Sequence, residues 1–334
     1  AKVTSRTAGA EMSTPMITGK SLLQYGFIAV PVAFAGFPLY VLAPDFYATQ
    51  HGLSLTLLGT ILLVIRLFDA VQDPLIGWFT DSLHGRFLPL LSVAGAILCL
   101  AVFALFNSYL FSPAIWFALC MVCAVTAYSV LIIVLGAQAT LWTPEKNDQT
   151  RIAGAREAFG LIGLVIAVSM PSLLSQLVSA DDVYRWYAAI LVVLMLAGIV
   201  SFARLRRHAM VPITDNHRVA FLSALRALPG ASWRLFMVYG VSMLASSIPA
   251  GVVIFYVRDL LGAEQLTGLF LLLYFLSGAA AMPLWKQMSV RIGKYKAWCA
   301  ANCLAVAGFI SAFFLSPGDV WPYAMVCIVS GFAL

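Results

Sequence analysis

Charged side chains are scarce in this chain: Asp, Glu, Lys and Arg make up 10% of its 334 residues. Soluble globular proteins carry roughly 25%, so a single apolar core inside a fully hydrated surface is excluded. Histidine is scarcer still, with four residues scattered at His51, His84, His208 and His217. No nucleophile elbow, zinc-ligand spacing or phosphate-binding glycine loop occurs, which argues against an enzyme. The six cysteines (Cys99, Cys120, Cys123, Cys299, Cys303, Cys327) lie in apolar stretches without His or acidic neighbours. They read as small packing residues, not as disulfides or metal ligands. The ten-residue alternating strands of a membrane barrel are missing. Residues 1–19 are polar and mildly basic, unlike a cleavable signal.

What remains is apolar. Hydrophobic residues make up 62% and the mean hydropathy is +0.95. Unbroken runs near 20 residues match a hydrocarbon core about 30 Å thick. The expected fold class is an all-α polytopic membrane protein. Ten spanning segments are predicted: 21–45, 53–80, 87–107, 112–138, 151–177, 185–204, 233–257, 265–287, 296–316 and 320–334. The last is still apolar at Leu334, which reads as a chain cut within a helix.

The net charge of +6 follows the loops and is no sign of nucleic acid. Placing the N-terminus in the cytoplasm puts seventeen of the twenty Lys and Arg on the cytoplasmic side. Arg185 and Arg258 fall outside and Arg66 within the membrane, as the positive-inside rule demands. The expected organisation is a cytoplasmic tail (1–20), an N-terminal six-helix bundle (21–204), a cytoplasmic linker (205–232) and a C-terminal bundle (233–334). The linker reads as a solvated tether, with binding to anionic headgroups as the alternative. A weak repeat relates the halves: Pro74-Leu75 precedes Gly85-Arg86 as Pro283-Leu284 precedes Gly293-Lys294.

The second segment carries three charges at i, i+3 and i+7: Arg66, Asp69 and Asp73. That spacing puts them on one helix face. Ionisable groups at bilayer depth are costly and mark ion pathways or buried partners. Two carboxylates offer hard oxygen ligands for sodium, or a proton site if one of them is protonated. Thr126 and Ser129 on the fourth segment complete the expected cation shell. Arg66, one turn before Asp69, reads as a charge switch that competes with the cation. The alternative is an Arg–Asp pair that merely pins two helices, although two acids and one base leave a charge uncompensated. Tyr25, Tyr128, Trp142, Tyr239, Tyr256 and Tyr274 are candidate cavity-lining aromatics, with an interfacial belt as the alternative. Arg156 and Glu157 read as a local ion pair; Arg258 and Asp259 are expected to close the outer end of the seventh segment.

The stretch Gly77-Trp78-Phe79-Thr80-Asp81-Ser82-Leu83-His84-Gly85-Arg86 resembles the signature loop between the second and third helices of the major facilitator superfamily, one residue longer than its commonest form. With the preceding Asp69-Ala70-Val71-Gln72-Asp73-Pro74, it is similar to the glycoside–pentoside–hexuronide:cation symporter family, the melibiose permease-like carriers. Tyr25-Gly26, Thr150-Arg151 with Arg156-Glu157-Ala158-Phe159-Gly160, and Trp285 to Trp298 agree with it, so the resemblance spans 21–334. It implies twelve helices in two six-helix bundles, of which this chain supplies about ten. It also implies a cytoplasmic gate at Gly77, Asp81, Gly85 and Arg86; a surface ion pair between Asp81 and Arg86 is the alternative.

Two departures bear on substrate. Sugar-transporting relatives carry an Asp on helix one where this chain has Ala33. Sodium-coupled sugar carriers have an acid on helix four near the position of Ser129, followed by a Pro-aromatic pair that is replaced here by Leu131-Ile132. The cation helix is retained and the sugar face is not. The function expected is symport of a small, sugar-like organic solute coupled to sodium or a proton, by alternating access, in a monomer of the cell inner membrane. No other cofactor is expected. The competing expectation is an accessory or assembly subunit of a larger membrane complex.

Overall fold

The structure is a computed structural model that describes residues 18–81, 87–107, 110, 112–143, 145–179, 182–205, 226 and 228–333. Among these, every regular element is helical: α1 (Gly19–Gly26), α2 (Ala29–Phe37), α3 (Ala43–Thr49), α4 (Leu55–Asp81), α5 (Phe87–Asn107), α6 (Pro113–Trp142), α7 (Lys146–Leu174), α8 (Val183–Ala203), α9 (Gly230–Phe255), α10 (Thr267–Ile292), α11 (Lys294–Ala312) and α12 (Val320–Phe332). Each of the ten predicted segments holds a helix. Seven spans among the described residues are long and apolar enough to cross a membrane. The linker expected at 205–232 lies mostly outside the described residues.

The first segment differs from the single helix expected over 21–45. It is built from α1, α2, a π-helical turn at Pro38–Leu42 and α3, and it continues to Thr49. Proline is the cause. Pro38 has no N–H to give the carbonyl of Phe34, four residues back. The hydroxyl of Tyr187 on α8 donates to that carbonyl instead, at 3.0 Å, and its ring stacks on Phe34 with centroids 4.3 Å apart. The break in the helix is thereby satisfied by a neighbour, as bilayer depth requires.

Packing falls into two hydrophobic clusters. The larger joins the first six segments around Phe34, Leu98, Met121 and Leu191. The smaller gathers Val257, Leu261, Phe270 and Tyr323 from the seventh, eighth and tenth. Small residues set the closest approaches. At Gly163 on α7 a Cβ would collide with the backbone of Val30 on α2, and at Gly331 on α12 one would collide with the backbone of Tyr274 on α10. Helix association in lipid depends on such contacts, because the tails are as apolar as the side chains.

Exposed apolar stripes mark the lipid side. On α4, Leu63, Leu67, Val71 and Leu75 recur every four residues and are at least half exposed. Asp69 and Asp73 each lie two residues beyond a member of that stripe. At 3.6 residues per turn this places them on the opposite side of the helix, facing the protein.

Candidate functional site

The site begins with a long, well-started α4. The Leu57 N–H donates to Ser54 Oγ at 3.2 Å and the Leu58 N–H to the Ser54 carbonyl at 3.0 Å, so the serine caps the helix. Pro74 sits inside α4 and removes the donor that would pair with the carbonyl of Ala70. The helix is thus locally weakened beside both aspartates.

Across from this turn lies α6. Ser129, 6% exposed, donates its hydroxyl to Asp69 Oδ1 at 3.0 Å. Gln72 Nε2 donates to the same oxygen at 2.8 Å. Gln72 is 8% exposed, and its Oε1 accepts the hydroxyl of Thr126 at 2.9 Å. The expected ligands therefore assemble unevenly: Ser129 reaches Asp69 directly, whereas Thr126 reaches it only through Gln72. Sequence reasoning missed Gln72, although its position three residues after Asp69 put it on the same face. Asp69 Oδ2 faces Arg66 Nη1 at 3.8 Å, a loose ion pair. Arg66 also lies over the ring of Tyr40, 4.1 Å from its centroid. Ser129 lies beside the carboxyl of Asp73 as well, but among the described residues the buried Oδ1 of Asp73 has no hydrogen-bond partner.

The aromatic candidates divide. Tyr128 belongs to the site, edge-on to Tyr40 with centroids 5.8 Å apart, its hydroxyl fitted against Gly36. Tyr40 was not anticipated. Tyr25, expected to line the cavity, is 1% exposed. It donates to the Leu135 carbonyl at 2.5 Å and packs against Trp142, which makes it a core residue. Tyr256 donates to the Ala312 carbonyl at 2.6 Å and stacks on Tyr323. Tyr274 packs on Phe275 and, with Tyr256, against the smaller cluster. Neither shares a described contact with Asp69 or Asp73. Tyr239 is 53% exposed.

Of the gate residues, Gly77 lies in the last turns of α4 with nothing within 4 Å of where a Cβ would stand. Its carbonyl accepts the Thr80 hydroxyl at 2.8 Å. Asp81 is the last residue of α4, its side chain outside the described set; Gly85 and Arg86 lie outside the described residues. Arg156 and Glu157 form the expected local pair at 2.5 Å. Arg258 pairs with Asp259 at 2.8 Å and reaches Asp45 at 2.7 Å, a partner that sequence reasoning did not see.

Long apolar helices with lipid-facing stripes, and carboxylates turned inward, define a multi-pass membrane protein of the transporter class. The sequence profile of the MFS/sugar transport protein family matches residues 24–334, and the chain belongs to that family, within the major facilitator superfamily. It is 28% identical to the glucuronide carrier protein homolog of Escherichia coli K12, with 95% of this chain and 71% of that one covered. It is 25% identical to the uncharacterized symporter YnaJ of Bacillus subtilis 168 (90% and 67% covered). To the putative glycoside/cation symporter YagG of Escherichia coli K12 it is 23% identical (77% and 58% covered). The resemblance drawn from the second-segment motif is borne out, and these relatives are carriers rather than enzymes. They give no support to the alternative of an accessory subunit.

Proposed function

We propose that this protein is a cation-coupled symporter that carries a small, sugar-like organic solute across the inner membrane by alternating access. Sodium or a proton binds at Asp69 and Asp73 and drives the solute. The observation that carries this reading is the contrast between the two carboxylates. Asp69 Oδ1 accepts from Ser129 and Gln72, while among the described residues no donor satisfies the buried Oδ1 of Asp73. Such an oxygen is expensive to leave bare, and a proton or a hard cation relieves that cost.

Arg66 acts in this scheme as a mobile counter-charge. At 3.8 Å from Asp69 and stacked on Tyr40, it retains an aromatic partner when a cation takes its place beside the carboxylate. The names of the relatives, a glucuronide carrier homolog and a putative glycoside/cation symporter, support a glycoside-like solute. Ala33 and Ser129 stand where the resemblance leads one to expect acids, so recognition of sugar hydroxyls falls to other groups, such as Tyr40 and Tyr128 beside Arg66. The cytoplasmic N-terminus follows from the Lys and Arg distribution.

The test is uptake into proteoliposomes of radiolabelled methyl glycosides and a glucuronide, under a sodium gradient and separately under a proton gradient. Asp69→Asn and Asp73→Asn are expected to reduce gradient-driven uptake to background while the protein still inserts. A double variant with parental uptake and parental cation dependence overturns the proposal.

A further inference from the structure

Described contacts between the two halves of the chain gather at one end of the molecule, the end remote from Gly19. There Gly268, at the start of α10, sits with its Cα hydrogen side 3.5 Å from Ser172 Oγ, near the end of α7, measured to where a Cβ would stand. Leu271, Phe275 and Val253 pack into the core of the first half. Arg258 Nη1 reaches Asp45 Oδ1 at 2.7 Å, across 213 residues of chain. At the opposite end, no described atom lies within 4 Å of where a Cβ on Gly77 of α4 would stand.

We propose that the Asp45–Arg258 ion pair is the latch that closes this mouth, the extracellular one in the orientation given above, and that its rupture opens the Asp69/Asp73 site to that side. The proposal rests on the alternating-access reading. Three features suit the pair to a latch. It joins the end of the first segment to the end of the seventh, so the halves cannot part at that point without breaking it. It is partly hydrated, with side-chain exposures of 22% and 25%, so breaking it does not strand a charge in a dry interior. Arg258 also keeps a second partner. Its Nε holds Asp259 at 2.8 Å, and Asp259, 58% exposed, belongs to the same π-helical turn, Tyr256–Leu260. When the mouth opens, Arg258 stays paired with Asp259 and Asp45 passes to water.

The hydrogen bond from Arg258 to Asp259 foremost raises the guanidinium's ionisation above its ordinary value; partial burial opposes this and Asp45 adds to it. The Arg258 side of the latch therefore stays charged throughout the physiological range. Two carboxylates gripped through different nitrogens require a fork, which lysine lacks.

The experiment uses the full chain with its six native cysteines replaced by serine or alanine, and Leu271→Cys as reporter. Leu271 is 8% exposed and packs against the first half. An impermeant maleimide is applied to the extracellular face of intact cells. Asp45→Asn and Arg258→Gln are expected to speed labelling about five-fold, the scale of a partly exposed ion pair. Arg258→Lys should fall between these and the parent, and the exchange Asp45→Arg with Arg258→Asp should return the rate toward the parent's. Labelling at the parent rate in both single variants, or no recovery in the exchange, overturns the latch. The readout needs no solute, so a parent without uptake would sink the symport reading and leave the latch result intact.

Discussion

The hydroxyl of Ser129 on α6 and the Nε2 of Gln72 on α4 converge on one oxygen, Oδ1 of Asp69, at 3.0 and 2.8 Å. The two aspartates of the second segment thus have different standing. Asp69 is positioned by neighbours on two helices, and Asp73 keeps a buried oxygen without a donor. The proposed ion site would thus have one fixed wall and one adaptable one.

Loosening the fixed wall should weaken the site without abolishing it. Removing a partner that orients a liganding carboxylate typically costs 10–100-fold in ion affinity. In Ser129→Ala and in Gln72→Leu, the concentration of whichever cation drives uptake, sodium or the proton, needed for half-maximal rate is expected to rise about ten-fold. Ser169→Ala, whose hydroxyl bonds to the Val165 carbonyl of its own helix, should leave it unchanged. Sodium and pH titrations of uptake in the three variants check this.

The closest approach of α7 to α2 makes a separate, structural prediction. Gly163→Ala drives a Cβ into the backbone of Val30, whereas Gly154→Ala, nine residues earlier on α7, meets nothing within 4 Å. Overpacking of this kind costs about 1–3 kcal/mol. Thermal unfolding of the detergent-purified protein should show a lower midpoint for Gly163→Ala. For Gly154→Ala the midpoint should be unchanged or slightly higher, since alanine favours a helix by up to about 1 kcal/mol over glycine.

Orientation has its own test. Leu110, between α5 and α6, and Tyr295, at the start of α11, are 76% and 75% exposed and lie at opposite ends of the bundle. In a cysteine-depleted chain, Leu110→Cys should react with an impermeant maleimide on intact cells. Tyr295→Cys should react only after permeabilisation. The reverse pattern places the N-terminus outside.

Much of the site was legible before any coordinates. The i, i+3, i+7 spacing put Arg66, Asp69 and Asp73 on one face, and the structure turns the two acids away from the lipid stripe of Leu67 and Val71. Ser129, expected in a cation shell with both aspartates, lies on the helix that faces them and bonds to Asp69. Gln72 was overlooked because an amide next to two acids looks inert until its two ends are seen to hold different helices. Tyr25 and Tyr256 were assigned to a cavity because aromatic rings at bilayer depth look alike in sequence, whether they fill a core, border a cavity or face lipid. Their hydroxyls instead close on backbone carbonyls of neighbouring helices.

The sequence alone determined that the chain crosses a membrane, roughly where its ten spanning segments fall, which loops carry the positive charge, and that two acids share one helical face. All of these follow from hydropathy and periodicity, which act over a few turns. The tertiary structure decided which side chains meet: Ser129 with Asp69 across 60 residues, Asp45 with Arg258 across 213, and Tyr187 with the carbonyl that Pro38 leaves open. Those pairings depend on how each helix is rotated and where it bends against its neighbours, and local pattern carries no record of either.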